Sequence, residues 1–236
     1  MNTVMTVKKI LRRFGFDIVK YHSLWDDIAQ PRGIKTILDI GANDGSFAKS
    51  MRERFPQAQI ISFEPLKESY EALRTRMSGD NDFHAYNVAL GETSGETIIH
   101  RSASNPSSSL LPMAALHKKL YPKSAEHEDE TIQIRRLDEV LQEEHLEKPI
   151  LIKIDVQGFE GRVIKGGPEV IRQADMVLVE NSFTTLYEGQ ALFADIHDFL
   201  RSLGFSYRGR SETHYNTHTK EPIYEDSVFI KDSVDA

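Results

Sequence analysis

The sequence predicts an α/β fold in which an open, doubly wound parallel sheet binds ligands at the carboxyl ends of its strands. The first observation is a short apolar strand, residues 37–40, which a tight glycine turn at residues 41–45 joins to a helix beginning at Ser46. The second is the segment IISFEP at residues 60–65, which indicates a second strand ending in an acid. The third is ILIKIDV at residues 150–156, which indicates a central parallel strand.

Further strands and helices follow in alternation, as a doubly wound sheet requires. Helices are expected at residues 67–77, 137–146, 169–174 and 193–203, and strands at 83–90, 96–101, 131–136, 176–180, 205–209 and 227–231. The strands at 96–101 and 131–136 could pair as a hairpin. Residues 102–130 are rich in serine, proline and charge, and a loop of that length is usually functional or disordered. We expect these residues to form a mobile flap over the ligand site.

Residues 1–33 are expected to form an N-terminal helical extension, and residues 34–236 the main domain. Apolar side chains recur in the extension at helical spacing, while the basic ones lie largely on the other side. The apolar set is Val4, Val7, Ile10, Leu11, Phe14 and Ile18, and the basic set is Lys8, Lys9, Arg12 and Arg13. Such a helix either rests on anionic lipid or packs on its own domain or a second subunit. We favour packing, which allows a homodimer through this helix.

Composition restricts the class of protein. A chain of 236 residues suits one α/β domain with a full core. The net charge of −7 and the absence of a basic stripe argue against a nucleic-acid-binding surface. The chain has no cysteine, which excludes disulfides, thiolate metal sites and thiol nucleophiles. No apolar run is long enough to cross a bilayer and no signal peptide is evident, so a cytoplasmic location is expected.

The glycine turn and the acid after the second strand predict an adenosine-bearing ligand. Gly41 can adopt backbone angles that a side chain forbids, and Gly45 would let a ligand approach the first helical turn. The unpaired N–H groups of that turn favour an anionic group. Glu64 lies where doubly wound nucleotide-binding folds place the acid that holds ribose hydroxyls.

The spacing of the glycines separates two candidate ligands. A dinucleotide fingerprint needs G-x-G-x-x-G, whereas this chain has only G-x-x-x-G. S-adenosylmethionine has no phosphate, but it has a carboxylate for the helix N-terminus and an ammonium that suits Asp39. We therefore expect S-adenosylmethionine. A nicotinamide-dependent oxidoreductase and a noncatalytic S-adenosylmethionine-binding module are the alternatives.

Several ordered segments resemble the FkbM family of S-adenosylmethionine-dependent methyltransferases. They are LDIGANDG, SFEP, NVALG, the SSSLL run, RLDEVL, IKIDVQGFEGRVIKGG, LYEGQ and GFSY. The resemblance that rests on them covers residues 36–230. The resemblance implies the class I methyltransferase fold, with a seven-stranded sheet whose last strand is antiparallel. It also implies methyl transfer to a hydroxyl oxygen of a sugar, a glycan or another secondary metabolite. The chain departs from the pattern at Gln157, where members frequently carry glutamate.

The resemblance also assigns a donor site. Its members around the methionine part would be Asp39, Gly41, Asn43, Gly45 and Ser46, with Glu64 on the ribose and Asn87, Val88 and Ala89 near the adenine. Asn87 has an alternative role as a turn residue that satisfies backbone groups at a strand end.

Methyl transfer to an alcohol requires removal of the hydroxyl proton, by a base or with the help of a metal. Asp155 lies at the carboxyl end of a central strand and Glu180 and Asn181 end the next one, so Asp155 and Glu180 are the candidate catalytic residues. The three together are similar to the metal ligands of catechol O-methyltransferases and would suit Mg²⁺. We favour a metal-free site, because Asp155 could pair with Lys153 and Glu180 could brace a loop.

Other polar residues are candidates for contact with the acceptor. Ser108 and Ser109 could bind sugar hydroxyls, Gln157 could hydrogen-bond to the acceptor, and His117 in the long loop could supply a second base. His214 and His218 precede the last strand but do not form a metal-ligand pattern. Solvated loop positions are the alternative for each histidine.

Overall fold

The computed structural model describes residues 11–12, 29, 32–102, 107–124 and 126–232, and every structural statement below refers to them. The amphipathic N-terminal helix expected within residues 1–33 lies almost entirely outside this part of the chain. Among the described residues, no helix combines the length and the apolar composition that crossing a bilayer requires.

The main sheet has seven strands in the order β3-β2-β1-β7-β8-β10-β9. Its strands are β1 (Thr36–Ile40), β2 (Gln59–Phe63), β3 (Phe83–Tyr86), β7 (Ile150–Ile154), β8 (Met176–Ser182), β9 (Phe205–Tyr215) and β10 (Pro222–Lys231). Neighbouring strands from β3 to β8 are parallel, whereas β10 pairs antiparallel with both β8 and β9. The chain order reverses direction between β1 and β7, which opens a crevice at their carboxyl ends. The predicted seven-stranded sheet with an antiparallel last strand is therefore confirmed, and the fold is that of class I methyltransferases.

Helices connect the strands and cover both faces of the sheet. They are α1 (Ser46–Arg54), α2 (Lys67–Arg76), α3 (Ala115–Leu120), α4 (Leu137–Val140), α5 (Glu160–Gly166), α6 (Pro168–Gln173) and α7 (Phe193–Ser202). A larger apolar cluster on one face joins the central strands to α5, α6 and α7, and a second cluster on the other face joins them to α1 and α2.

A second sheet of three strands lies beside the crevice, in the order β4-β6-β5. It comprises β4 (Ala89–Leu90), β5 (Gly95–Ser102) and β6 (His127–Arg135), and β5 pairs antiparallel with β6. The predicted pairing of these two segments is confirmed, and both strands are longer than expected. The single strand expected at residues 83–90 is wrong, because the chain leaves the main sheet after Tyr86 and β4 joins the small sheet.

The long loop expected at residues 102–130 is partly wrong, because this stretch contains secondary structure, whereas its mobility stays a prediction. Residues 107–124, here called the cover segment, include α3 and a 3₁₀ turn at Pro122–Ser124, and β6 already begins at His127. Leu111 and Met113 of the cover segment are buried against Leu186 and Ile223. The serine-rich composition obscured this apolar anchor. The helix expected at 137–146 is also shorter than predicted, since α4 ends at Val140.

Candidate functional site

A cavity of about 310 Å³ lies at the carboxyl ends of β1, β2, β7 and β8, under the cover segment. Of the predicted site residues, Gly41, Asn43, Glu64, Val88, Ala89, Ser108, Ser109, His117, Asp155, Gln157 and Glu180 line it. Asp39, Gly45, Ser46, Asn87 and Asn181 do not. Most of the predicted donor and acceptor residues therefore lie in one crevice.

Gly41 begins the turn after β1 and is needed for two reasons. Its φ is 79°, in the left-handed region that side chains disfavour. A Cβ on Gly41 would lie 1.9 Å from the carbonyl oxygen of Asp155, so any side chain would collide with the end of β7. The absence of a side chain lets the ends of β1 and β7 approach each other where the cavity begins.

Glu64 presents a buried carboxylate to the cavity. Its Oε2 accepts a hydrogen bond from the backbone N–H of Asn43 at 2.8 Å, and its Oε1 accepts one from that of Leu66 at 2.9 Å. Each oxygen can accept a second hydrogen bond. Burial, opposed in part by these two donors, raises the pKa of Glu64 to about 7. Glu64 is thus fixed by two backbone donors and can accept hydrogen bonds from a ligand in the cavity.

Asp39 lies behind the cavity wall. It is fully buried, and neither carboxylate oxygen has a hydrogen-bond partner among the described residues. Nζ of Lys153, its register partner on β7, lies 3.7 Å from Oδ1. Burial raises the pKa of Asp39, with the charge of Lys153 acting in the opposite direction. The carboxylate faces Lys153 behind the cavity wall, and its predicted role toward the donor ammonium stays a prediction.

Gly45 and Ser46 shape α1 and do not line the cavity. Gly45 has φ of 82°, and a Cβ there would lie 2.7 Å from a methyl group of Leu73. The glycine is therefore needed for the close packing of α2 against this turn. The expected approach of a ligand to Gly45 stays a prediction. The backbone N–H and hydroxyl of Ser46 both donate to Asp44, at 3.1 and 2.8 Å.

Asn87 performs the structural role that was its alternative. Its side-chain amide donates to the carbonyl oxygens of Glu64 and Pro65, at 2.9 and 2.8 Å. These bonds fix the turn after β2 and end β3. Val88 and Ala89, the next two residues, form an apolar part of the cavity wall.

Gln157 links the two predicted catalytic acids. Its Nε2 donates to Oδ1 of Asp155 at 2.8 Å and to Oε1 of Glu180 at 3.0 Å. The residue has a φ of 53°, and its carbonyl oxygen accepts a hydrogen bond from the hydroxyl of Ser109 at 2.6 Å. Tyr187 completes the arrangement, since its hydroxyl donates to Oε1 of Gln157 at 3.0 Å. This last bond fixes which side of the amide faces the acids.

The charges around these acids are unequal. Nζ of Lys153 lies 3.2 Å from Oδ2 of Asp155 and 3.4 Å from the carbonyl oxygen of Gly41. Burial would lower the pKa of Lys153, but the charges of Asp155 and Asp39 outweigh it and the pKa is raised. Burial, followed by the charge of Asp155, raises the pKa of Glu180 well above its usual value. Asp155 thus has a cation beside it, whereas the stronger influences on Glu180 oppose its ionisation.

His117 is buried in α3, so the alternative of a solvated loop position is wrong for this histidine. Its Nε2 lies 3.3 Å from the hydroxyl of Tyr187, and no described residue hydrogen-bonds to its Nδ1. Burial lowers the pKa of His117, which favours the neutral ring. A neutral imidazole at the cavity wall can exchange a hydrogen bond with a ligand.

Glu160, the first residue of α5, is also buried. Its Oε1 accepts backbone hydrogen bonds from Val156 and Gly158, both at 3.0 Å. Burial raises its pKa to about 7. Glu160 therefore holds the turn that carries Gln157.

The metal trio of Asp155, Glu180 and Asn181, which was the alternative to a metal-free site, is not assembled. Glu180 and Asn181 are consecutive on β8, so their side chains point to opposite faces of the sheet. Asn181 is buried there beside its register partner Glu225, and it does not line the cavity. Within the described ranges, the only group of three potential ligand side chains with closely spaced atoms is His100, His127 and Asp129, on the small sheet. His214 stacks on Tyr224 with ring centroids 4.3 Å apart.

Three tyrosines contribute to the site although no sequence motif indicated them. Tyr121 ends α3 and Tyr224 begins the regular part of β10, and both line the cavity. Burial raises the pKa of Tyr187 and of Tyr224, so both hydroxyls stay protonated. Tyr187 lies within the LYEGQ segment, which belongs to the family resemblance but does not by itself indicate a contact with the site.

The sequence matches a methyltransferase family and individual methyltransferases. The family described as Methyltransferase FkbM domain matches residues 39–207. The 2-O-methyltransferase NoeI of Sinorhizobium fredii is 32% identical over 174 residues, which are 70% of this chain and 71% of NoeI. Methyltransferase sdnD of Sordaria araneosa is 28% identical over 211 residues, covering 79% of this chain and 80% of sdnD. A solved precorrin-6y C5,15-methyltransferase from Geobacter metallireducens GS-15 has a TM-score of 0.41 at 12% identity, covering 84% and 78% of the two chains.

Proposed function

Because the chain belongs to the FkbM methyltransferase family and is an S-adenosylmethionine-dependent methyltransferase, we propose that it methylates a hydroxyl oxygen of a glycan or another small metabolite. The observation that carries the proposal is the pair of carboxylates, Asp155 and Glu180, on the cavity wall beside the donor turn. A neutral alcohol is a poor nucleophile, so a carboxylate at this point has a chemical task.

The donor end of the cavity has features that fit S-adenosylmethionine. Glu64 faces the cavity with free acceptor capacity for the two ribose hydroxyls. Val88, Ala89 and Leu66 offer an apolar surface for a flat base. Asn43, with φ of 47°, and Gly41 form the turn around the amino-acid end. Bound there, S-adenosylmethionine would supply a methyl group already activated on a sulfonium sulfur.

Asp155 is assigned as the group that takes the proton of the acceptor hydroxyl. It follows β7 directly, and its backbone N–H donates to the carbonyl oxygen of Ile40 at 3.0 Å, so its position is fixed relative to the donor turn. Nζ of Lys153 lies 3.2 Å from its Oδ2, so the carboxylate has a cation beside it. Glu180 is the second carboxylate, and the shared amide of Gln157 orients both.

The rest of the cavity suits a hydroxyl-rich acceptor that is held away from water. Tyr121 and Tyr224 offer aromatic faces and hydroxyls, and Ser108 and His117 add polar groups at the cover segment. Methyl transfer depends on orientation and on exclusion of water, and a crevice under the cover segment favours both. The relative NoeI is named a 2-O-methyltransferase, which supports oxygen as the methylated atom.

The test is methyl transfer from labelled S-adenosylmethionine to a panel of mono- and oligosaccharides and polyhydroxylated metabolites. We expect a product whose new methyl group is on oxygen, located by mass spectrometry and NMR. A product methylated on nitrogen or carbon would contradict the proposal while leaving the methyltransferase assignment intact. The donor site is checked separately by calorimetry with S-adenosylhomocysteine, with NAD as the control for the oxidoreductase alternative.

A cytoplasmic location and a homodimer formed through the N-terminal segment remain part of the proposal. Light scattering on the whole chain and on a variant in which Ile10 and Leu11 are both changed to serine tests the dimer. A monomeric wild-type chain would contradict it.

A further inference from the structure

Three potential metal ligands meet on the small sheet, outside the cavity. His100 on β5 is the register partner of Asp129 on β6, and His127 lies two residues before Asp129 on the same face of β6. Nδ1 of His100 lies 2.7 Å from Oδ1 of Asp129, and the rings of His100 and His127 are 5.2 Å apart in an edge-to-face arrangement. One ligand atom from each of the three lies within 4.8 Å of the other two.

The ligand types select the metal. Two imidazole nitrogens and one carboxylate oxygen suit Zn²⁺ and related transition metals, whereas Mg²⁺ and Ca²⁺ prefer oxygen ligands alone. The three side chains are half-buried or exposed, so they can adjust by rotation toward the tetrahedral geometry of zinc. A water molecule or a ligand group would supply the fourth position. The antiparallel pairing holds the ligands on two strands whose separation is already fixed.

The three side chains lie where the chain passes between the small sheet and the cover segment. β5 ends at Ser102 and β6 begins at His127, so the cover segment leaves and re-enters the small sheet next to these ligands. His100 also exchanges two backbone hydrogen bonds with Ser109, at 2.9 and 3.2 Å, and Ser109 lines the cavity. A metal that joins His100 to His127 would therefore hold together the two ends of the cover segment.

We propose that His100, His127 and Asp129 bind one Zn²⁺ ion, which fastens the base of the cover segment. The site is separate from the carboxylates of the cavity and takes no part in the chemistry of methyl transfer. Zinc binding constrains the two strands at that point and reduces opening of the cover segment. The proposal does not depend on the identity of the acceptor or on the oxygen specificity.

The experiment is calorimetric titration of the untagged, metal-stripped protein with Zn²⁺ alone. We expect one high-affinity ion per chain, with a dissociation constant below about 10 µM. His100→Ala and His127→Ala should each weaken this site by about tenfold or more. His84→Ala removes an exposed histidine of the main sheet and is the matched control, which should bind zinc like the wild type. Co²⁺ in place of zinc should give the visible absorption of a tetrahedral site in the control and not in His100→Ala.

Hydrogen exchange measures the effect on the cover segment. Zn²⁺ should slow exchange in residues 107–124 of the wild type and of His84→Ala, and leave it unchanged in His127→Ala. Failure of the wild type to bind zinc at this affinity, or unchanged binding in both His100→Ala and His127→Ala, would overturn the site. Tight binding without slower exchange in the cover segment would overturn the fastening role.

Discussion

The carboxylates of Asp155 and Glu180 share one hydrogen-bond donor, the side-chain nitrogen of Gln157. The two bonds are 2.8 and 3.0 Å long, and the other end of the amide accepts from Tyr187 at 3.0 Å. A neutral amide thus occupies the place that a cation would take between two acids. This amide, together with Lys153 beside Asp155, helps to accommodate both carboxylates in one partly buried crevice.

Replacing this amide by a carboxylate tests that explanation. Gln157→Glu would put a third acid against Asp155 and Glu180 and would remove two hydrogen bonds to charged groups, each contributing about 1.5–3 kcal/mol. We expect a lower melting temperature and a loss of activity. Millimolar Mg²⁺ should raise the melting temperature of Gln157→Glu and leave that of the wild type unchanged. Equal responses of the two proteins to Mg²⁺ would contradict the role of the amide as a substitute for a cation.

The assignment of the base predicts unequal effects of two isosteric changes. Asp155→Asn should lower kcat by about 10²-fold or more, because proton transfer in the transition state is lost. Its affinity for S-adenosylhomocysteine should change little, since the ribose is assigned to Glu64. Glu180→Gln keeps a hydrogen-bonding group beside Gln157 and should cost less than about tenfold. Steady-state kinetics with the identified acceptor separate the cases: the reverse order of effects would make Glu180 the base.

The pKa of Glu64 predicts that donor binding depends on pH. Ribose hydroxyls bind best to the ionised carboxylate, and the pKa of Glu64 in the protein without ligand is about 7. The affinity for S-adenosylhomocysteine should therefore be full above pH 7 and should fall as the pH drops below it, by about tenfold at pH 6 relative to pH 8. Glu64→Gln should bind more weakly at pH 8 and lose most of this dependence.

Calorimetry from pH 6 to pH 8.5 provides the measurement for Glu64. Glu71→Gln, which changes an exposed glutamate on α2, is the control and should follow the wild type. A pH profile of Glu64→Gln identical to that of the wild type would remove Glu64 from the ribose site.

The sequence predicted the parts of the molecule that depend on local pattern. Short-range features of the sequence predicted the strand before Gly41, the turn after it, the acid at position 64 and the strand before Asp155. The structure contains all four. The contact of Glu64 with a ribose stays a prediction. Parallel strands end at one edge of a sheet, so the meeting of these residues in a crevice was also predictable.

The misassigned features depend on contacts between distant segments. His117 is buried because Met113 and Tyr187 form a bridge between the cover segment and the loop after β8. Its apolar neighbours in LLPMAALHKKL indicate an anchored helix, whereas the serines before them are typical of a loop. The side chains of Glu180 and Asn181 point to opposite faces of the sheet because side chains alternate along β8. This rule could have been applied to the sequence alone.

Glu160 predicts a dependence of stability on pH. Its pKa rises on folding from an ordinary value near 4.5 to about 7, so the folded state binds the proton more tightly. Stability contributed by the neutral form is therefore lost as the pH rises through this interval, and the full penalty applies above pH 7. Glu160→Gln keeps the acceptor for Val156 and Gly158 but cannot ionise.

Denaturant unfolding at pH 5.5 and pH 8 measures this effect. The fall in unfolding free energy between the two should be smaller in Glu160→Gln than in the wild type, by on the order of 1–3 kcal/mol. The remaining dependence in the variant should come from the other acids whose pKa values burial raises, which are Asp39, Glu64, Glu180 and Asp226. Equal pH dependence of the two proteins would show that Glu160 is not a protonated buried acid.

Gly41→Ala, in the turn after β1, should cause a large loss of stability although it adds only one methyl group. Gly41→Ala would place Cβ 1.9 Å from the carbonyl oxygen of Asp155 and also force an alanine to φ of 79°. Gly79→Ala is the matched control, because its φ is 85° but no atom lies within 4 Å of the added Cβ. The control should lose about 1–2 kcal/mol from backbone strain alone. Gly41→Ala should lose more than about 4 kcal/mol or fail to fold, because strand β7 must move away from β1. Denaturant unfolding compares the two variants directly, and equal losses would mean that the close approach of Asp155 to this turn does not determine stability.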